Sequence, residues 1–407
     1  MTRVSENADV LIVGSGLAGA TASCALARIG IKVVVLESEQ KPEWNSRKYD
    51  LRASALNIAS QNTLSNIGAW SKIKSMRMSQ FDAIDVWDEN SGGRIHFEGN
   101  DAGLDYLGHI VENSATLSAL HGVLYQNKVG VHYGASINRV FHEKDYIFVT
   151  TNDKKTFRAK LLVGADGSNS RVRDLSDISI HKKPYRQKAI VAQVGTEKKN
   201  RKTAYQKFLS SGPLAFLPLS DYQSLIVWST DEKTSDELMH LPDLMFEQKL
   251  SDVFDHKLGI VKLLSHRKRF SVTSGQASTY IKNRIALIGD AAHMVHPLAG
   301  LGANQGIMDA AALAEIVNIS SNNSSDIGNR ASLRRYERWR RTENQLISST
   351  VDAIFHCFST TDSTISNLRY FGLNLTDNLK PIKSLFVKQA TGISGKLPEI
   401  SRFSHRS

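Results

Sequence analysis

The chain is poor in cysteine, in proline and in unbroken apolar runs. Only two cysteines occur among 407 residues, Cys24 and Cys357. They are far apart and form neither a CxxC nor a Cys/His pattern, which argues against a disulfide framework and a zinc site. No stretch reaches the roughly 18 consecutive apolar residues of a spanning helix. Eight prolines and the lack of a long Pro/Gly/Ser tract leave no evident linker, and no internal repeat is visible. Acidic residues are outnumbered, with 51 Lys and Arg against 40 Asp and Glu, a net charge of +11. That excess suits a well-solvated surface, or attraction to membrane lipid or a phosphorylated cofactor. The densest basic run, RRYERWRR from Arg334 to Arg341, has Glu337 inside it. Nucleic-acid binding would call for a broader basic face with aromatic stacking, so no nucleic-acid partner is expected. The N-terminus, MTRVSENADVLIVG, reaches an apolar strand almost at once. It leaves no room for a leader peptide, and a cytoplasmic protein is expected.

What is present fits an ordinary globular chain, with 41% hydrophobic and 22% charged residues. DVLIV (9–13), a glycine turn, a helix ending near Gly30 and KVVVLE (32–37) read as a β-turn-α-β unit. Residues 51–75 read as helical, 81–99 as a hairpin around Ser-Gly-Gly, and 111–127 as a helix capped by Asn113 or Ser114. The stretch 181–275 is rich in strands. A buried strand at 284–289 precedes the helix MDAAALAEIVNIS, and the tail from 331 is mostly helical.

Three glycine-bearing segments carry the chemistry. The first is Gly14-x-Gly16-x-x-Gly19, with Glu37 ending the next strand. Gly14 permits the tight turn, Gly16 lets backbone approach a pyrophosphate, and Gly19 lets helix pack on strand. The helix N-terminus faces the anion, and Glu37 is placed for ribose hydroxyls. This motif alone does not separate NAD from FAD. The second, Gly164-Ala-Asp166-Gly167 with Arg171 and Arg173 downstream, ends the strand KLLVG. By itself it reads equally as a plain Asp-Gly turn. The third is RIALIGDAAHMVHPLAGLGANQG (284–306). A strand delivers Gly289 and Asp290 to a sheet edge, where Asp290 can bond a polyol hydroxyl. Pro297 stiffens the loop, and Gly300, Gly302 and Gly306 permit close backbone approach. His293 and His296 form His-x-x-His without carboxylate company, so no metal is expected.

Together these segments resemble the class A flavoprotein monooxygenases of the p-hydroxybenzoate hydroxylase fold. The stretches DLRASALNIASQNTLSNIGAW (50–70), GHIVENSATLSAL (108–120), AFLPLSD (215–221) and LNLTDNLKPIKSLFVKQATG near the C-terminus narrow the likeness. They resemble the ubiquinone-biosynthesis hydroxylases of polyprenylated phenols, essentially end to end.

The resemblance implies an α/β fold. It has a Rossmann-type FAD-binding domain, discontinuous over 1–75, 100–178 and 276–330. A β-sheet substrate domain (76–99 and 179–275) interleaves with it, and a C-terminal helical region covers 331–407. It implies FAD as cofactor, NAD(P)H as co-substrate, and hydroxylation of a polyprenylated phenol by O2 through a flavin C4a-hydroperoxide. The FAD-contacting set carried over is Gly14, Gly16, Gly19, Glu37, Arg52, Asp166, Gly167, Gly289, Asp290, Pro297, Gly300, Gly302, Ala303 and Asn304. Glu112 and Asn113 fall where the family places a residue near the flavin phosphates, and Arg173 where it meets NAD(P)H. The flavin does the hard chemistry, so no triad or carboxylate pair is expected. Candidates to help remove the phenol proton are His293, His296 and Tyr222, with a structural role as the alternative for each. The lipid substrate implies peripheral contact with the inner face of the cytoplasmic membrane, and the pathway implies partner proteins. The chain departs from the family pattern at Leu301 and Ala303, where relatives read GQGxN with a larger aliphatic at x. That departure gives the competing reading, a catalytically silent FAD-binding subunit, its support. A hydroxylase of another aromatic is the nearer alternative.

Overall fold

The structure is a computed structural model that describes residues 4–296, 300–360 and 362–403. Among these residues the strands form four sheets, of which two organise the molecule.

The first is six-stranded. Its strands are β1 (Val10–Val13), β2 (Val33–Glu37), β3 (Gly130–Tyr133), β4 (Leu161–Gly164), β5 (Ile281–Lys282) and β6 (Ile285–Leu287), in the spatial order β5-β6-β4-β1-β2-β3. The pairings β6·β4, β4·β1, β1·β2 and β2·β3 are all parallel. Parallel strands covered on both faces must be apolar throughout. VLIV of β1 and LLVG of β4 are accordingly buried at every position. Full burial of each Leu or Ile contributes roughly 1.5–3 kcal/mol. Three helices pack in this layer: α1 (Leu17–Arg28), α2 (Asn113–Gln126) and α3 (Leu301–Asn322).

The second sheet has nine strands. Ile180–Thr196, Gln223–Asp231, Gly212–Ser220 and Thr203–Leu209 run antiparallel in that order, and the hairpin Ala83–Asp88/Arg94–Glu98 adds to the edge. The Ser-Gly-Gly turn falls where the sequence put it. A long helix, α4 (Arg330–Ser359), and the shorter α5 (Ser363–Asn378) and α6 (Lys380–Ala390) form the C-terminal region.

Two expectations of local structure are corrected. Residues 51–75 are not one helix. Ala53–Asn57 is a strand paired antiparallel with Gly108–Glu112, and helices Ile58–Asn66 and Trp70–Lys74 follow. Asn57 marks the change, because its side chain accepts from Ser60 N at 3.0 Å and caps the helix. The helix after the third glycine segment begins at Leu301, seven residues before Met308. Gly302 and Gly306 disguised it, since glycine is a poor helix former. Gly306 is accommodated because it faces Ala18 and Gly289 closely.

Candidate functional site

The topology brings the three glycine segments to one edge. They leave the C-terminal ends of β1, β4 and β6, which are neighbours in the sheet, and Glu37 ends the next strand, β2. In an open parallel sheet that edge is where ligands bind.

The segments also touch one another. A Cβ at Gly14 (φ +94°) would lie 2.4 Å from Ala165 O, joining the first segment to the second. A Cβ at Gly289 would lie 3.0 Å from Ala18 Cβ, joining the first to the third. Arg173 joins the second to the third. Its guanidinium donates to Ser168 O at 2.9 Å and to Ala291 O at 3.2 Å. Arg173 is 3% exposed, so the residue expected to meet NAD(P)H is an internal strut between two loops.

The glycines separate into two kinds. Gly14 and Gly19 are required by packing, since a Cβ at Gly19 would lie 2.0 Å from Gly14 O. Gly16 and Gly302 face open space, with nothing within 4 Å of a Cβ. Gly16 is the N-cap of α1 and carries no side-chain cap. Gly302 sits in the first turn of α3, behind Gly300, which adopts the left-handed conformation (φ +60°) at its N-cap. Two helix N-termini with bare backbone and room in front are what an extended, phosphorylated cofactor needs. This clearance is the test of fit, and the segments pass it.

The carboxylates differ in availability. Glu37 is held toward the turn by Ser15 N (2.6 Å), Ser15 Oγ (2.9 Å) and Glu39 N (2.9 Å). Asp166 accepts from Ser170 Oγ and Val172 N, fixing the turn before the short helix Arg171–Leu175, and burial raises its pKa. Asp290 is solvent-exposed, yet the protein atoms crowding it raise its pKa by desolvation. That combination marks a carboxylate on the wall of a cleft.

Other expected contacts are engaged within the protein. Glu112, 2% exposed, accepts from Arg77 Nε and Nη2 (2.9 Å each), Trp44 Nε1 (3.2 Å) and Asp50 N (2.6 Å). Arg77 also donates to the carbonyls of Asn45, Ser46 and Lys48, so the pair pins the loop leading to Arg52. Arg52 itself is exposed, its guanidinium 5.4 Å from the Phe270 ring. Asn113 Oδ1 accepts from Ser54 Oγ. Asn304 accepts from Asn57 N and Ser60 Oγ and donates to Ala55 O and Gly300 O. Gly167 (φ +79°) borders open space, and Ala303 packs against the core of the first sheet. Pro297 lies outside the described residues.

The three proton-transfer candidates scatter. His293, 3% exposed, bonds Asp309 at 2.5 Å. His296, 1% exposed, bonds Gln187 and stands edge-on to the Tyr185 ring at 4.8 Å. Burial pushes its pKa down to about 4. Tyr222 sits half-exposed in a turn of the second sheet. It lines a cavity of about 980 Å³ with Asp85, Arg94 and Lys257, which none of the glycine segments enters.

Sequence reading missed Asp309. It is wholly buried on α3 and accepts from Gly289 N, His293 Nε2, Arg340 Nε and Asn344 Nδ2. Burial alone would raise its carboxyl, but the neighbouring His293 and Arg340 more than offset this and hold it well below the usual range. A lone Asp inside an apolar helix, MDAAALAEI, was the available signal. Arg340, read as part of a basic surface run, turns inward to meet it.

The FAD binding domain family matches residues 7–346. The ubiquinone hydroxylase UbiL of Rhodospirillum rubrum is 35% identical over 97% of this chain and 92% of its own. The human mitochondrial ubiquinone biosynthesis monooxygenase COQ6 is 34% identical over 92% of this chain and 90% of its own. Among solved structures, p-nitrophenol 4-monooxygenase PnpA of Pseudomonas putida superposes with a TM-score of 0.77 at 17% identity, over 96% of this chain and 99% of that one.

Proposed function

The chain belongs to the FAD binding domain family of flavin-dependent monooxygenases, and from that premise we propose that it hydroxylates the aromatic ring of a polyprenylated phenol in ubiquinone biosynthesis. The observation that carries this reading is the end-to-end likeness to a ubiquinone hydroxylase, 35% identity over 97% of the chain.

FAD supplies the redox chemistry, taking electrons from NAD(P)H and activating O2. The rest falls to the chain's own residues. Gly16 and the α1 N-terminus would receive the pyrophosphate, and Glu37 would receive ribose hydroxyls in competition with Ser15 Oγ. Asp290 would bond the polyol chain. Gly300 and Gly302, at the α3 N-terminus, would let backbone N–H groups approach the ring system. Arg52 is exposed beside Phe270. Apolar side chains of the second sheet, among them Val191, Leu225 and Phe270 beside Leu51, would exclude water from the site and offer an apolar surface to the substrate ring. Leu301, the departure from the family pattern, packs against a second apolar cluster formed by Phe208 and Val351, so it stays an apolar packing residue.

The same reading divides the chain into a discontinuous FAD domain, a substrate domain and a helical tail. It is supported by strands 83–98 and 180–277 sharing one sheet. The lipid substrate places the protein at the inner face of the cytoplasmic membrane, beside other enzymes of the pathway. Among the described residues no helix is long and apolar enough to cross a membrane.

Deleting the gene in its host and profiling quinone intermediates by mass spectrometry tests the reading. A polyprenylphenol lacking one ring hydroxyl should accumulate, and its mass names the position. Unchanged ubiquinone, with no second hydroxylase covering the step, would leave only an aromatic monooxygenase. A catalytically silent subunit would show no substrate-dependent NAD(P)H oxidation.

A further inference from the structure

We propose that α5 and α6 form a docking face for an anionic lipid surface. These two helices are amphipathic the wrong way round for a protein in water. On α5, Ile365, Leu368, Phe371, Leu375 and then Leu379 recur at helical spacing along one stripe, and all are exposed. Phe371 is 69% exposed and Leu368 65%. On α6 the stripe continues through Ile382, Leu385 and Phe386, again exposed. A helix of a globular protein turns its apolar stripe to the core. Here the polar side is turned in. Arg369 is buried beside Asp88 and donates to the carbonyls of Cys357 and Thr360. Asp377 accepts from His96 N and Lys383. The anchoring of α5 is polar, so its outward apolar stripe is a property of the folded chain and not a core awaiting burial; α6 is held from beneath by the buried Val387 and by Phe386 against Phe97.

Charge decides the occupant. Residues 363–398 hold five basic side chains and a single acid, Asp377, which Lys383 pairs. Lys380 and Lys388 are exposed beside the apolar stripe. Apolar residues that enter the acyl boundary, flanked by lysines that meet anionic headgroups, are the chemistry of an interfacial helix. A protein partner of matching acidity would satisfy the lysines, but position favours lipid. Val387, on the buried side of α6, belongs to an apolar cluster with Phe81, Leu107 and Ile110. The fringe of that cluster, Ala53, Leu217 and Leu219, also fringes the cluster of Leu51, Val191 and Leu225 beside Arg52. A continuous apolar seam thus joins the docking face to the catalytic wall. This last step rests on the hydroxylase reading, because only a polyprenylated substrate needs such a seam.

The test is co-sedimentation of the purified flavoprotein with vesicles of phosphatidylcholine plus phosphatidylglycerol, and with phosphatidylcholine alone. The wild type should pellet with the anionic vesicles and do so less at high salt. The variant Leu368→Ser/Phe371→Ser/Leu375→Ser should lose on the order of tenfold in bound fraction. Lys380→Glu/Lys388→Glu should fall to the phosphatidylcholine level. Both variants change exposed side chains, and unchanged flavin content checks their folding. Wild type remaining in the supernatant with both vesicles, or serine variants pelleting as well as wild type, overturns the proposal. So does a wild-type dimer that the serine variant makes monomeric without any vesicle binding, since the face would then serve a second copy. Vesicle binding is read without substrate or NAD(P)H, so its failure and that of the hydroxylase reading are separable.

Discussion

Arg340 Nε donates to Asp309 Oδ1 at 2.7 Å, and neither side chain reaches solvent. Oδ2 of the same carboxylate accepts from Gly289 N, next to Asp290, and from His293, three residues beyond it. One buried ion pair therefore ties the long C-terminal helix to the loop that carries the cleft carboxylate. Breaking it by removing one partner leaves a buried charge uncompensated, at a cost of about 3–5 kcal/mol. Asp309→Asn and Arg340→Met are expected to lower the unfolding temperature and to release flavin together. Thermal melts followed by flavin fluorescence check this. A variant that melts early but keeps its flavin until unfolding would separate the pair from the loop.

Gly14 and Gly16 should respond oppositely. Gly14→Ala forces a Cβ into Ala165 O at a left-handed backbone position, so the protein should be destabilised or insoluble. Gly16→Val meets open space. It should fold normally, by circular dichroism and urea midpoint, and lose on the order of tenfold or more in FAD affinity because the side chain occupies the pyrophosphate's place.

Asp290→Ala removes an exposed carboxylate and leaves the packed core alone. It should purify as a folded, nearly colourless protein. Unchanged flavin content per chain would remove Asp290 from the cofactor site.

Acid should weaken the fold through buried histidines. Burial lowers both His109 and His296 to about 4, against about 6.5 in the unfolded chain. Between those values the unfolded chain binds more protons than the native one, so stability falls as pH drops from 6.5 toward 4. The difference corresponds to roughly 3 kcal/mol per histidine at most. Asp309, lowered in the native state, adds its loss only below about pH 4. Urea titrations across this window should show the decline, and His296→Gln should flatten part of it.

Gly14, Gly16, Gly19 and Glu37 were legible because the β-α-β unit is local, and each glycine has a local reason. Gly302 and Gly306 hide the start of α3 because both cost helix propensity, and only at Gly306 does contact with Ala18 offset that cost. The strand Ala53–Asn57 reads as helix in the sequence because its partner, Gly108–Glu112, lies more than fifty residues on.

The sequence by itself determined the fold class, the three glycine segments and the family they resemble, since these depend on spacing along the chain and on which residues can occupy a turn. Only the tertiary structure decided what surrounds them. Parallel pairing of β1, β4 and β6 made three distant loops into one edge. Burial sent Arg173, Arg340 and Glu112 inward to partners no spacing rule could name. Polar anchoring of α5 turned an apolar stripe outward. A charged side chain takes its role from what desolvates and pairs it, and those neighbours are chosen by the fold.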